Sequence, residues 1–144
     1  MVGVILFSLI GMFVGFLSAE RLIKDLIGKS DFITRFFNVV DKFDLFISIG
    51  GIFVGVWNFF SPNFGFKFDI PGADLPIIGA AIPSLLIVIS SISIGINYFL
   101  QILNIPSEEK EKLLNANQNY GDLIGVVTFL FSFLHILTYQ TVLL

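Results

Sequence analysis

The chain contains no cysteine among its 144 residues, which excludes a disulfide framework, a thiolate zinc site and a cysteine nucleophile. Charge is also scarce, at 13% of residues against roughly 25% in a soluble domain. No basic run is present, so nothing supports nucleic-acid binding by phosphate neutralisation. The sequence also lacks an HExxH motif, a phosphate-binding loop and paired carboxylates inside its apolar runs. We therefore expect a protein that is not an enzyme and holds no metal or cofactor.

Apolar residues dominate what is present, at 56% of the chain, and the mean hydropathy is +0.93. They form four long runs, at residues 2–19, 45–60, 76–103 and 123–144. Each run approaches the length of about 20 residues that spans a bilayer as a helix. No lysine or arginine precedes Arg21, so we interpret the first run as a spanning helix and not a cleaved signal peptide. The sequence thus predicts an all-α integral membrane protein with four transmembrane helices in one domain, residues 1–144, embedded in a lipid bilayer.

The basic residues predict an orientation. Seven of the eight lysines and arginines lie in the first and third connections, residues 20–44 and 104–122. With four spans these connections share one side of the membrane, and the positive-inside rule assigns that side to the cytoplasm. We expect the plasma (inner) membrane of a bacterium, with both termini outside.

The two charged connections resemble each other at a spacing of 77 residues. Ser30-Asp31 corresponds to Ser107-Glu108, and Arg35-Phe36-Phe37-Asn38 corresponds to Lys112-Leu113-Leu114-Asn115. The pattern predicts two copies of one unit, repeat 1 at about residues 1–62 and repeat 2 at about 77–144. Because each unit has two spans, the copies enter the membrane in the same sense and are parallel, related by an axis along the membrane normal.

Each unit is predicted to be a helix–interfacial helix–helix. A serine followed by an acid is typical of a helix N-cap, so Ser30 and Ser107 are predicted N-caps. The apolar pairs Phe36-Phe37 and Leu113-Leu114 then predict a helix face that lies on the lipid headgroups.

Glycines four residues apart indicate close helix packing within the membrane. The predicted packing positions are Gly11, Gly15, Gly51, Gly55, Gly121 and Gly125. The sequence leaves open whether these faces pack within one chain or against a neighbouring one, with packing inside the chain favoured.

Four polar residues lie in or beside the spans: Asn58, Asn97, Gln101 and His135. An intramembrane ionisable group is a functional candidate, and His135, the one histidine, corresponds to Asn58 at the 77-residue spacing. These side chains either line a hydrated path or bond helices together, and the second interpretation is favoured because no charged partner occurs inside any span.

The connection at residues 61–76 is predicted to be an outer loop. Phe64, Phe66 and Phe68 alternate there, which predicts an extended segment with one apolar face. That face either dips into the membrane or contacts a partner.

These features favour a non-catalytic scaffold or accessory subunit of a larger membrane assembly or homo-oligomer. A first alternative is a small channel or transporter whose pore forms between subunits from Asn58, Asn97, Gln101 and His135. A second is binding of lipid or another hydrophobic molecule, for which the 18 phenylalanines are the only support.

Overall fold

The computed structural model describes residues 2–27, 30–61 and 76–138, and this part of the chain is helical with no strand. Its helices are α1 (Val2–Ser18), α2 (Glu20–Ile27), α3 (Asp31–Val40), α4 (Asp44–Phe60), α5 (Pro76–Ile102) and α6 (Ser107–Thr138). The predicted Phe64, Phe66 and Phe68 segment lies outside the described residues.

In the described ranges, three helical segments are long and apolar enough to cross a membrane: Asp31–Phe60, Ala81–Ile102 and Ser107–Leu137. Helix α1, with 17 residues, reaches that length only together with α2, from which it is bent by 70°. The all-helical prediction is confirmed, and so is the presence of three to four helices of spanning character.

The predicted boundaries of the apolar helices agree closely with the observed ones, because the apolar runs end at polar or helix-terminating residues. Helix α4 starts at Asp44 and its last turn is closed by a hydrogen bond from the Ser61 amide to the Trp57 carbonyl (2.8 Å). Helix α5 continues through Pro83 and ends before Asn104, whose φ of 47° lies in the left-handed region that asparagine tolerates.

The predicted separate interfacial helix of the second repeat is wrong. Helix α6 begins at Ser107 and runs unbroken into the apolar run, because residues 119–122 contain no proline and Gly121 is held in the helix against Ser93 and Asn117. In the first repeat, a single 3-10 turn at Asp41–Phe43 joins α3 to α4. The sharp bend of this half lies instead between α1 and α2.

The two predicted N-caps differ from one another. Ser30 has the extended backbone of an N-cap, but its side chain makes no capping hydrogen bond. Ser107 is the first helical residue and not the cap, because the Lys110 amide already bonds to the Pro106 carbonyl (2.9 Å). Pro106 thus takes the cap position, where its missing N–H is not needed, and the helix begins one residue earlier than predicted.

The predicted headgroup face of α3 is also wrong in part. Phe37 is buried inside the chain, where its ring stacks on Phe16 of α1 at 5.6 Å and meets Phe36 edge-on. Leu113, by contrast, is exposed. The aromatic contact with Phe16 of α1 therefore places Phe37 inside the bundle and not on the lipid headgroups.

Two antiparallel helix pairs form the bundle. Helix α1 packs along α6, which we call the first seam, and α4 packs along α5, the second seam; α5 then contacts both α1 and α6. The end of the bundle that carries Ser18, Asp44, Asn97 and Asp122 is called the charged end, and the opposite end, with Asn58 and His135, is the far end.

Candidate functional site

The six predicted glycines all pack within the chain. A methyl group on Gly15 would lie 2.6 Å from the Phe129 backbone nitrogen, and one on Gly125 would lie 2.6 Å from the Ala19 nitrogen. In the second seam, a methyl on Gly55 would meet the Val88 side chain at 2.6 Å, and Gly51 contacts the Ser91 hydroxyl. Gly11 contacts Ser132 and Gly121 contacts Asn117. These faces are therefore covered by the chain's own helices.

The two seams have matching contacts at the 77-residue spacing. Phe7 meets His135 edge-on at 5.6 Å in the first seam, and Asn58 donates from Nδ2 to Ser84 Oγ at 3.0 Å in the second. Gly11–Ser132 corresponds in the same way to Val88–Gly55.

Burial follows the same spacing. The buried residues of α4 are Ser48, Gly51, Gly55 and Asn58. Their counterparts in α6 are also buried: Gly125, Thr128, Ser132 and His135. The exposed Phe46, Phe53 and Phe60 correspond likewise to the exposed Leu123, Leu130 and Leu137.

The bundle interior is polar for a helical protein. Among the described residues, buried polar side chains are as prominent as buried apolar ones: Ser8, Ser48, Asn58, Ser84, Ser90, Ser91, Thr128, Ser132 and His135. Thr128 shares a 2.7 Å hydrogen bond with Ser90 and donates to the Ile124 carbonyl (2.8 Å). Ser48 donates to the Ser91 carbonyl. The hydroxyls of Ser8, Ser91 and Ser132 are buried and have no hydrogen-bond partner within the described part of the chain.

The predicted intramembrane polar residues do not converge. Asn58 and His135 are buried at the far end, whereas Asn97 and Gln101 are exposed near the charged end of α5. The four positions therefore do not form one wall, and Asn58 and His135 face other helices of the same chain.

A cleft of about 210 Å³ opens at the charged end. Residues from all six α-helices and the 3-10 turn line it: Leu17, Ser18, Glu20, Arg21, Phe37, Val40, Asp41, Asp44, Ser93, Ile94, Ile96, Asn97, Asn117 and Asp122. The lining combines an apolar floor with charged, amide and hydroxyl groups, which is typical of ligand and partner sites.

Hydrogen bonds hold the α6 wall of the cleft. The Arg21 guanidinium pairs with Asp122 at 3.2 Å and donates to the Asn117 carbonyl at 3.0 Å. Asn117 also donates from Nδ2 to the Ser93 carbonyl at 3.2 Å, while Ser93 donates back to its side chain. This network positions one wall, and the second oxygen of Asp122, Oδ1, is buried without a hydrogen-bond partner.

The opposite wall is acidic. Burial, together with the nearby charges of Asp41 and Glu20, raises the pKa of Asp44 to about 6. Burial also raises the pKa of Asp41, together with Glu20, while Lys24 lowers it. Four carboxylates and one guanidinium line the cleft. Arg21 pairs with Asp122 and the adjacent Lys24 pairs with Glu20, so the negative charge of Asp41 and Asp44 remains and favours a positively charged group.

Within the described ranges, no cluster of three histidine, cysteine or carboxylate residues is arranged to hold a metal ion. The sequence pattern did not predict the cleft. One signal was available: Asp44 and Asp122 each stand directly before an apolar run. A charge that close to a span is costly unless something compensates it.

A protein family without a functional description matches residues 1–135, and the chain belongs to that family. No curated protein and no solved structure matches the chain.

Proposed function

We propose that this family member is an integral membrane protein that works without catalysis, as a binding subunit of a larger membrane assembly. In this proposal the acidic cleft takes a positively charged group of the partner. The observation that carries it is the cleft itself, where four carboxylates face one guanidinium above an apolar floor.

The distribution of apolar side chains supports the membrane part of the proposal. Large apolar residues are exposed along the outside of the helices, with Phe46 at 74%, Phe53 at 62% and Phe60 at 78%. The interior is rich in serine, threonine and glycine instead. Water would penalise such a surface, whereas lipid makes it favourable, and small residues let helices approach closely within lipid.

For orientation we propose that the charged end faces the cytoplasm. The absence of cysteine makes a direct test simple. Single cysteines at Glu109 (charged end) and Ser61 (far end) are labelled in intact cells with an impermeant maleimide. We expect labelling of Ser61→Cys only, and labelling of Glu109→Cys only after lysis; the reverse result would invert the topology.

We also propose that the two halves are copies of one unit. Residues 77 positions apart agree in burial, in exposure and in the seam contacts they make, and this supports the proposal. For example, the Asn58–Ser84 contact corresponds to the His135–Phe7 contact. An experimental structure whose halves fail to superpose by rotation about the bundle axis would contradict this.

The binding role is favoured over assembly through glycine faces because those faces are occupied inside the chain. Among the described residues, the cleft at the charged end offers charged, amide and hydroxyl groups for specific contact. A lysine or arginine side chain of a partner fits both the volume of the cleft and its excess of negative charge.

The test is copurification in mild detergent from native membranes, followed by mass determination. Asp41→Asn/Asp44→Asn neutralises the cleft, and Asp31→Asn, an exposed acid outside it, is the matched control. We expect a partner to be retained by the wild type and the control and lost from the double variant. A lone monomer in the wild-type preparation, or equal retention by all three, would overturn the proposal.

Passage of a small polar solute through the bundle is the second candidate. It is favoured by the unpartnered buried hydroxyls of Ser8, Ser91 and Ser132, which are groups that bind water. The path would then lie inside one chain and not between subunits.

Flux measured with purified protein in vesicles tests this second candidate. Ser132→Ala should reduce flux and Ser61→Ala, at the end of α4, should not. Absence of flux in the wild type, or flux unchanged by Ser132→Ala, would eliminate the internal path.

A further inference from the structure

Helix α2 contributes no buried residue to the fold, and its two sides differ sharply. Leu22, Ile23, Leu26 and Ile27 occupy one arc of the helix, while the charged residues occupy the other. On the charged arc, Lys24 pairs with Glu20 and lies 5.2 Å from the centre of the Phe37 ring.

The charged arc is turned toward the rest of the chain. Arg21 reaches Asp122 and Asn117 of α6, and Lys24 reaches α3. The aliphatic arc is consequently left uncovered, with Leu26 76% and Ile27 54% exposed. A helix with its polar side inward and its aliphatic side outward requires a nonpolar environment around it.

The position of α2 identifies that environment. Only Ala19 separates it from α1, and its axis is bent by 70° from α1. The bend occurs where Gly125 packs against the backbone of Ser18 and Ala19. If α1 stands along the membrane normal, α2 begins at the level where the span ends and runs close to the membrane plane.

We infer that α2 is an in-plane membrane anchor whose aliphatic arc, centred on Leu26, is buried at the boundary between lipid headgroups and acyl chains. In this placement Arg21 and Lys24, on the other arc of the helix, lie at headgroup level, where their charges remain hydrated. The inference rests on the proposed membrane location.

Tryptophan fluorescence tests this inference. Trp57 is the only tryptophan, so the Trp57→Phe variant has no tryptophan emission of its own. Three single-tryptophan variants are then compared in phosphatidylcholine–phosphatidylglycerol vesicles. Leu26→Trp reports the aliphatic arc, Asp25→Trp reports an exposed position on the charged arc of the same helix, and Phe53→Trp reports the middle of α4. Circular dichroism checks that each variant retains its helix content.

We expect Leu26→Trp to show blue-shifted emission and to be quenched most by lipids brominated near the headgroup. Asp25→Trp should be quenched by aqueous iodide, and Phe53→Trp by lipids brominated deep in the acyl chain. This pattern, with both arcs of one helix differing, is what an in-plane anchor requires.

The failures are distinguishable. If Phe53→Trp is quenched by deep bromolipid but Leu26→Trp is quenched by iodide like Asp25→Trp, α2 lies in water and the inference is overturned while the membrane proposal stands. If Leu26→Trp is shielded from both quenchers, a protein surface covers it and the inference is again overturned. If Phe53→Trp escapes all bromolipids, the membrane location itself fails.

Discussion

The two seams of the bundle have contacts at corresponding positions, 77 residues apart, but different kinds of residue make those contacts. In the first seam the backbones of α1 and α6 touch, because Gly15 and Gly125 face one another. In the second seam a serine side chain fills the corresponding space, since Ser48 and Ser91 lie between α4 and α5. Two helices can therefore approach closely in either of two ways: by having no side chains at the contact, or by having small side chains that form hydrogen bonds across it.

The largest expected effect is on the first seam. Gly15→Ala places a methyl 2.6 Å from the Phe129 nitrogen and 2.7 Å from the Gly125 carbonyl oxygen. Because backbone cannot rotate away, α1 and α6 must separate, and we expect a loss of about 3 kcal/mol in the free energy of unfolding. Denaturant titration in detergent measures it. Gly50→Ala is the control, since nothing lies near Gly50, and equal losses for both would contradict the seam.

Gly51 of the second seam should tolerate a methyl group better than Gly15, because it faces side chains, whereas Gly55 of the same seam lies against the Ser84 carbonyl oxygen. Gly51→Ala meets the Ser91 side chain, so we expect a loss of about 1–2 kcal/mol in the free energy of unfolding. The clash is with a side chain, and Ser91→Gly should therefore restore part of the loss. A double-mutant cycle with no coupling between the two positions would show that they are not in contact.

Asn58 should have a smaller effect. Asn58→Ala removes the 3.0 Å hydrogen bond to Ser84 and leaves a buried hydroxyl, so we expect a loss of about 1 kcal/mol in unfolding free energy. Asn97→Ala, at an exposed position of α5, should be close to neutral. Thermal unfolding in one detergent compares them, and a reversed order would mean that Asn58 is not a packing residue.

The smallest effect concerns the acids that open the two apolar helices. Asp122 is paired with Arg21, whereas burial and neighbouring acids raise the pKa of Asp44 to about 6. The folded state therefore holds this proton more tightly than the unfolded state, and stability falls as pH rises from 3.8 through about 6.

Asp44→Asn should consequently be more stable than the wild type at pH 7.5 and equal to it at pH 3.5. We expect a gain of about 1 kcal/mol at most, because solvent still screens the charge of a carboxylate that is only partly buried. Unfolding at the two pH values measures it, and a gain that is the same at both would assign the effect to something other than ionisation.

Much of the architecture was predictable from the sequence because lipid-compatible helices are determined by local composition. The ends of α4 and α5 follow from Asp44 and from the polar residues after Ile102. The start of α6 was predicted one residue late, since the contribution of Pro106 was overlooked. The break between α1 and α2 carries no local signal, because Ala19 is a good helix former and Gly125, distant in sequence, packs at the bend.

The cleft could not be predicted from local sequence either. Its residues come from positions between 17 and 122, and no spacing along the chain identifies Ser93 and Asn117 as neighbours of Arg21. For Asn58 and His135 at the far end, the sequence did show that they correspond at the 77-residue spacing. Whether they faced a hydrated path or another helix depended on which helices paired.

By itself, the sequence determined the apolar helices, their approximate ends and the 77-residue correspondence, because each depends on residues close in the chain or on a simple count. Tertiary structure alone decided that the glycine faces are used internally, that α2 turns aside, and that acids from separate helices gather at one end. Those outcomes depend on the pairing of α1 with α6 and α4 with α5, which brings together side chains that local composition leaves independent.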